Sequence, residues 1–235
     1  MWNLLRNIST SLTTLIYPHC CTACGTNNLP AADGICSYCL QHLPLTGFMQ
    51  QPDNPVARVF WGRLSLENAT ALVWFQKHSA VQQIMHGIKY QARKDAAFQI
   101  GRWMGHQLQD CSWLQQIDYL VPLPLHKNRL LTRGYNQAAC ICEGIARVCD
   151  LPILSTVAQR SSATVTQTQQ HRKARWENMK QVFSINPDLP LNYKHLLLVD
   201  DVITTGASLD ALGQQLRHIP GIRLSVCCFA YTVPH

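Results

Sequence analysis

Two adjacent carboxylates follow a run of apolar residues near the carboxyl terminus of this chain. Residues 196–199 are all large and apolar, which is typical of a strand buried on both faces of a parallel sheet. Asp200 and Asp201 come directly after this run, where a parallel strand delivers its end to a binding crevice. Vicinal sugar hydroxyls are donors that a pair of carboxylates can accept. The pair therefore indicates a sugar site.

The turn after the carboxylates is suited to a phosphate. Gly206 permits close approach of the backbone, and the hydroxyls of Thr204 and Thr205 can donate hydrogen bonds. Leucines spaced three and four residues apart from position 209 predict a following helix, whose free amides favour an anion. Sugar and phosphate sites in this order predict a cradle for ribose 5-phosphate, and a solvated Asp pair before an ordinary turn is the alternative. The cradle comprises Val199, Asp200, Asp201, Val202, Ile203, Thr204, Thr205, Gly206, Ala207 and Ser208.

Four of the eleven cysteines form two closely spaced pairs. Cys21 and Cys24 form the first Cys-x2-Cys pair, and Cys36 and Cys39 form the second. Two such pairs can close tetrahedrally around Zn²⁺, and four thiolates leave no position for water. We therefore predict a structural zinc site that clips a stretch too small to hold a core. Reduced cysteines in a loop or a redox pair are the alternative.

Cys20 or His19 could replace Cys21 as a ligand, so this choice stays open. The remaining cysteines lie in apolar patterns and are predicted to pack in the core: Cys111, Cys140, Cys142, Cys149, Cys227 and Cys228. An odd number of cysteines without a convincing export signal favours a reducing compartment, and hence a cytoplasmic protein.

Length and charge narrow the class of protein. A chain of 235 residues that is 47% hydrophobic can bury a sizeable core in one or two domains. The 20 Lys and Arg residues outnumber the 13 Asp and Glu residues, which suits anionic ligands without choosing among them. The aromatic residues do not cluster, so support for nucleic-acid binding is weak. Residues 2–17 predict an amphipathic helix that is too short and polar to span a membrane.

The order of the predicted elements indicates an α/β domain behind a small amino-terminal segment. A polar stretch with two prolines at residues 50–55 predicts a linker. We therefore divide the chain into an amino-terminal helix and zinc-binding segment, residues 1–50, and a second domain, residues 56–235. Alternating strands and helices are typical of α/β proteins. Strands are predicted at 69–75, 119–124 and 224–231, and helices at 81–88, 96–108 and 138–148.

The carboxylate and turn motif resembles the phosphoribosyl diphosphate (PRPP) motif of type I phosphoribosyltransferases. Residues 121–138, with Val-Pro-Leu-Pro and Arg-Gly-Tyr-Asn-Gln-Ala, form a second motif. A third comprises Arg160, Thr166, Gln169, Arg175, Asn178 and Phe183. With the four cysteines, and in the same order over nearly the whole chain, these motifs resemble the ComF/GntX family of competence-protein-F-like proteins.

The resemblance implies a fold and a ligand. The expected fold is a type I phosphoribosyltransferase-like parallel sheet flanked by helices, with a small amino-terminal four-cysteine zinc segment. The expected ligand is PRPP with Mg²⁺, and the expected process is natural transformation or the use of external DNA. Asp200, Asp201, Lys89 and Arg175 are the predicted catalytic residues. Lys127 and Arg129 are predicted to bind the pyrophosphate.

Three functions stay open at this point. The chain could be a phosphoribosyltransferase, or a non-catalytic competence factor that binds single-stranded DNA, a competence helicase or another partner through a repurposed nucleotide site. A zinc-ribbon transcription factor is less favoured, because no helix with a basic face follows the cysteines.

Overall fold

A parallel sheet of four strands forms the centre of the chain, in the order β1-β6-β5-β2. The computed structural model describes residues 20–27, 29–30, 33–160 and 182–232. The sheet strands are β1 (Asn68–Trp74), β2 (Tyr119–Pro122), β5 (His195–Ile203) and β6 (Arg223–Tyr231), and a separate antiparallel pair consists of β3 (Ala158–Arg160) and β4 (Phe183–Ile185). The helices are α1 (Ser37–Gln41), α2 (Pro55–Phe60), α3 (Ala80–Tyr90), α4 (Lys94–Gln109), α5 (Lys127–Arg133), α6 (Gln137–Cys149) and α7 (Ala207–Leu216).

Strand β5 joins the two hydrophobic cores of the molecule. Leu197 and Val199 pack with α3, α4 and α6 on one face of the sheet. Leu196 and Leu198 pack with α2 and α7 on the other face. All four side chains are fully buried, because β5 pairs with β2 on one side and β6 on the other while helices cover both faces. The predicted α/β class, a parallel sheet flanked by helices behind a four-cysteine segment, is confirmed.

The strands and helices predicted within the described residues are present, with shifted ends. Strand β5 runs further than predicted, since Asp200 and Ile203 still pair with Cys228 and Tyr231 of β6. The two aspartates therefore belong to the part of β5 that is hydrogen-bonded to β6, instead of following the end of the strand. Strand β2 ends at Pro122, two residues early.

Three short helices, α1, α2 and α5, occur where the sequence predicted none. Helix α2 begins at Pro55, within the predicted linker, because the buried Asn54 side chain caps it by accepting from the amides of Val56 and Ala57. Helix α5 follows β2, where a loop was expected, and buries none of its residues. A helix without a buried face has no apolar period to reveal it. The division into domains at residues 50–56 stays a prediction.

The predicted packing cysteines are buried with one exception. Cys111, Cys140, Cys142, Cys227 and Cys228 are buried. Cys149 is half-buried near the end of α6, where its thiol donates to the carbonyl of Gly105 at 3.3 Å. The predicted helix at residues 2–17 lies outside the described residues. Among the helices that are described, none combines the length and apolarity needed to cross a membrane.

Helices α4 and α6 cross so closely that their backbones touch. A Cβ atom added to Gly101 would lie 2.1 Å from the carbonyl oxygen of Ile141. One added to Gly144 would lie 2.2 Å from the carbonyl oxygen of Phe98. Both obstacles are backbone atoms, so the helices themselves would have to move apart. This contact holds the layer that covers one face of the sheet.

Replacement of Gly144 by alanine tests this crossing. In an uncrowded helix the change stabilises by roughly 0.5–1 kcal/mol. Here we expect Gly144→Ala to lower the free energy of unfolding by at least about 2 kcal/mol, because overpacking forces the helices apart. Urea denaturation measures the difference. Glu143→Ala, on the exposed side of the same helix, is the control and should stay within about 0.5 kcal/mol of the parent. A stabilised Gly144→Ala variant would contradict the crossing.

Candidate functional site

The carboxyl ends of β2 and β5 open onto a polar cavity of about 230 Å³. These strands are neighbours in the sheet, and ligands of parallel α/β sheets bind at such ends. From β5, the turn after it and the start of α7 come Asp200, Asp201, Val202, Thr204 and Ser208. Four basic side chains also line the cavity: Lys89, Arg129, Arg133 and Arg160.

The two carboxylates have different surroundings. Asp201 is almost fully buried, and its Oδ2 atom lies 3.2 Å from the Nζ atom of Lys89. Asp200 accepts a hydrogen bond from the amide of Asp201 at 2.8 Å. Desolvation first, and the neighbouring carboxylate of Asp201 second, raise the pKa of Asp200 to about 8, although Lys89 and Arg160 oppose the rise. Asp200 therefore holds its proton more readily than an exposed carboxyl group does.

Lys89 reaches this pair from helix α3. Ser79 caps the start of the helix, and its apolar side, which includes Ile84 and Ile88, is fully buried against the core. The carbonyl of Ile88 also accepts a hydrogen bond from the hydroxyl of Tyr135. The next residue is Lys89, so its stem starts from a fixed backbone. The structure therefore brings together three of the four predicted catalytic residues, and Arg175 lies outside the described residues.

Helix α2 supports the phosphate-sized turn from behind. Gly206 has a φ of +67° and begins α7. A Cβ atom on Gly206 would lie 2.8 Å from Val59 and 3.0 Å from the ring of Phe60. Arg63, just beyond α2, donates to the carbonyl of Thr205 at 3.0 Å. The turn therefore needs glycine for both its conformation and its contacts.

The loop after β2 supplies the opposite wall. Asn136 accepts from the amide of Ala138 to cap α6, and it donates to the carbonyl of Leu123. The Nη1 atom of Arg133 donates to Gln137 at 2.9 Å. These bonds tie α5 and α6 to the exit of β2.

The predicted binding residues are only partly gathered at the cavity. Arg129 lines it, whereas Lys127, at the start of α5, is exposed and does not. The sequence analysis did not assign Arg133 to the site, although it stands in the second motif, and named Arg160 only as part of the resemblance. Of the predicted cradle, Val199 and Ile203 are buried in β5, and Thr205, Gly206 and Ala207 form the turn and the start of α7 without lining the cavity.

The four predicted metal ligands form one cluster. The Sγ atoms of Cys21, Cys24, Cys36 and Cys39 all lie within 4.8 Å of one another. Bonds of about 2.3 Å from a tetrahedral Zn²⁺ place thiolate sulfurs about 3.8 Å apart. The Sγ atoms of Cys24 and Cys36 are 3.8 Å apart. The residues thus fit a four-thiolate zinc ion.

Backbone amides donate hydrogen bonds to thiols of this cluster and affect their pKa values. The amide of Cys36 donates to Cys21 at 3.3 Å, and the amide of Cys39 donates to Cys36 at 3.4 Å. Burial opposes ionisation of Cys21, but amide donors from Cys36, Cys24 and Ala23 outweigh it and lower the pKa of this thiol to about 7. Burial is the largest cause that raises the pKa of Cys36 and Cys39. A cation bound among them would displace those protons.

The four-cysteine segment docks on the turn between α3 and α4. Arg93 donates to the carbonyls of Cys20 and Gly34 and forms a salt bridge of 2.7 Å with Asp95. The side-chain oxygen of Gln99 accepts from the amides of Gly34 and Ile35, at 3.0 and 2.7 Å. The cluster is therefore fixed to the helix that follows Lys89.

Comparison with known proteins gives relatives but no family model, since none matches the chain. Competence protein F of Haemophilus influenzae is 37% identical over 103 residues, which cover 43% of this chain and 44% of that protein. DNA utilization protein YhgH of Escherichia coli K12 is 28% identical over 153 residues, 64% of this chain and 66% of that protein. These two relatives support the resemblance of the chain to a ComF-like family. The matches span less than two thirds of the length of either relative.

Solved structures with a similar fold are phosphoribosyltransferases. Adenine phosphoribosyltransferase of Saccharomyces cerevisiae is 17% identical, and the match covers 57% of this chain and 66% of that chain with a TM-score of 0.34. Hypoxanthine phosphoribosyltransferase of Trypanosoma cruzi is 12% identical, with 63% and 80% covered and a TM-score of 0.37.

Serine substitutions distinguish the ligands that the sequence left open. We expect Cys21→Ser to lower the zinc content measured by atomic emission, because it removes one of four clustered thiolates. Cys20→Ser is the matched control, since Cys20 precedes the cluster and contributes its backbone carbonyl to Arg93. Full zinc content in Cys21→Ser, or equal loss in Cys20→Ser, would show that Cys20 or His19 completes the site.

Proposed function

We propose that this ComF-like chain binds a phosphoribosyl ligand together with Mg²⁺, and that PRPP is the first ligand to test. We also propose that the chain acts in competence or DNA utilization. The observation that carries the proposal is the pair Asp200 and Asp201 at the end of β5, beside Lys89 and the turn that begins α7. The process is the one named for the two relatives. A cytoplasmic location stays a prediction.

Each wall of the cavity has a role in this proposal. Asp200 and Asp201 accept hydrogen bonds from the ribose hydroxyls. Thr204, Ser208 and the free amides of α7, a helix of ten residues, hold the 5′-phosphate. Arg129, with the other three cations, holds the pyrophosphate, because charge-assisted donors pair well with phosphate oxygens. Lys127 and Arg175 stay predictions for the same group.

The charges of the cavity fit a magnesium complex of such a ligand. The four basic side chains outnumber the two carboxylates, which favours an anion with more than one negative charge. Mg²⁺ prefers oxygen ligands and keeps several waters. Asp200 and Asp201 are the carboxylates among the described residues that line the cavity, so most ligands of the ion would come from the ligand and from water. The ion would neutralise charge on the pyrophosphate.

A transferase reaction is open to this arrangement. A nucleophile would attack the anomeric carbon of PRPP as the bond to pyrophosphate breaks, through a state with oxocarbenium character. The basic residues would stabilise the charge that develops on the departing pyrophosphate. Release of pyrophosphate in the presence of a nitrogen acceptor, measured by a coupled phosphate assay, tests this step.

A non-catalytic role is the second candidate. The names of both relatives refer to competence or to DNA, and the chain has a formal net charge of +7. In this case the basic side chains of the same cavity hold the phosphate-sugar end of a nucleic acid without a contribution from the carboxylates, and a competence helicase stays a predicted partner. Salt-dependent binding of single strands that is unchanged by substitution of Asp200 and Asp201 would favour this candidate.

Removal of both carboxylates tests the ligand directly. We expect the double variant Asp200→Asn, Asp201→Asn to bind Mg²⁺-PRPP at least about 100-fold more weakly, because two charge-assisted hydrogen-bonding groups are lost. Isothermal titration calorimetry of zinc-loaded protein measures the affinity. Asp53→Asn is the control, since Asp53 is exposed and pairs with Arg58 outside the cavity. Equal affinity in the double variant and the control would exclude the proposed cradle.

The raised pKa of Asp200 predicts a pH dependence of the same binding. Below pH 8 most of the free protein carries a proton on Asp200, which a ligand that needs the carboxylate must displace. We therefore expect the affinity for Mg²⁺-PRPP to rise from pH 7 to pH 9, a range above the phosphate pKa of about 6. Asp200→Asn should lose most of this dependence. An affinity that falls with pH, or the same slope in the variant, would contradict the assignment.

A further inference from the structure

A second groove adjoins the cavity and shares three of its cations, but its other residues have no part in the proposed function. It has a volume of about 640 Å³, and we call it the Tyr90 groove. Its walls are the end of α3 and the exposed side of α5: Lys89, Tyr90, Gln91, Asn128, Arg129 and Arg133. Lys89, Arg129 and Arg133 also line the cavity. A ligand bound at the carboxylates could therefore extend into this groove and still contact the three shared cations.

Tyr90 presents an aromatic ring to the groove. It is the last residue of α3 and is 69% exposed. Its ring lies 5.1 Å from the ring of His86, and the guanidinium of Arg133 lies 5.8 Å from its centroid. The ring is thus placed by a neighbour on its own helix and by a cation from α5, and most of its surface stays free. Such a ring is a platform on which another flat group can stack.

The other residues of the groove complement a nucleotide. The described residues that line it include three cations and no carboxylate, so phosphates are favoured there. The amides of Gln91 and Asn128 carry both donors and acceptors, as the edges of nucleobases do. Ala92, which also lines the groove, has a φ of +53°. Residues other than glycine seldom adopt this conformation, and strained positions of this kind cluster at binding sites.

Lys89 joins the groove to the carboxylates. Its Nζ atom is 3.2 Å from Asp201, while the residue after it carries the aromatic ring. One lysine side chain therefore spans the distance between a sugar-binding group and a stacking surface. An exposed aromatic ring beside basic groups is a combination with which proteins bind the bases and phosphates of single-stranded nucleic acids.

We propose that the Tyr90 groove binds a nucleobase by stacking on Tyr90, next to a phosphate held by Lys89, Arg129 and Arg133. The inference rests on the proposed function in one respect, since the phosphate uses cations of the same cavity. The base belongs to a free nucleotide or to a nucleotide of a single strand. Both have the same chemistry at this surface.

Binding of three probes to the full zinc-loaded chain tests this inference. The probes are a 12-residue oligothymidylate, an abasic strand of the same length and charge, and thymidine 5′-monophosphate. We expect Tyr90→Leu to bind oligothymidylate roughly tenfold more weakly, the size of one base–aromatic stack. Binding of the abasic strand should not change, and Tyr90→Phe should restore the affinity. The control is Tyr193→Leu, because Tyr193 is 77% exposed and lies before the opposite end of β5.

The outcomes separate the two sources of the base. A loss for oligothymidylate alone supports a single strand, and an equal loss for the monophosphate supports a free nucleotide. Equal effects of Tyr90→Leu and Tyr193→Leu, an equal loss for the abasic strand, or no binding of either base-bearing probe by the parent would overturn the inference.

A parallel titration with Mg²⁺-PRPP distinguishes this failure from failure of the proposed function. PRPP binding that is intact while Tyr90→Leu has no effect on the base-bearing probes overturns the groove alone. No PRPP binding by the parent, with the effect of Tyr90→Leu retained, overturns the PRPP ligand and supports the groove.

Discussion

The pairing of β5 with both of its neighbours is the constraint on which the site depends. Because the ladder to β6 continues to Ile203, the backbone of both carboxylates is fixed. Side chains alternate along a strand, so Asp201 is on the same face as Leu197 and Val199, which is the face that α3 covers. Lys89 of α3 pairs with Asp201 from that side. The ion pair thus depends on the face of the sheet to which the Asp201 side chain points.

Helix packing on the two faces of the sheet then positions the residues around the carboxylates. The touching backbones of α4 and α6 hold one layer on the sheet. On the other face, α2 packs closely against the turn at Gly206 and so positions the start of α7. Neither contact lies at the cavity, yet each positions one of its walls. The geometry of the cavity therefore depends on these helix contacts and is sensitive to substitutions outside the cavity.

The sequence allowed the central strand, the carboxylates, the turn and the cysteine pairs to be predicted, because each depends on residues that are close together in the chain. Helix α5 was missed because it buries no side chain. That omission also affected the choice of cations. In a loop, Lys127 and Arg129 are equivalent candidates, but in a helix Arg129 and Arg133 share a face at a spacing of four residues. Arg160 and the support from Phe60 depend on tertiary contacts that no local pattern shows.

The docking of the four-cysteine segment links the predicted zinc site to the proposed ligand cavity. Thr22 of this segment lies so close to α3 that a Cβ atom on Gly87 would meet its methyl group at 2.1 Å. Arg93 then joins the segment to the turn that follows Lys89 and Tyr90. Chains without the metal would lack a fixed support for that turn. A preparation that is only partly loaded would therefore behave as two populations, and a titration would give a fractional stoichiometry instead of a uniformly weaker affinity.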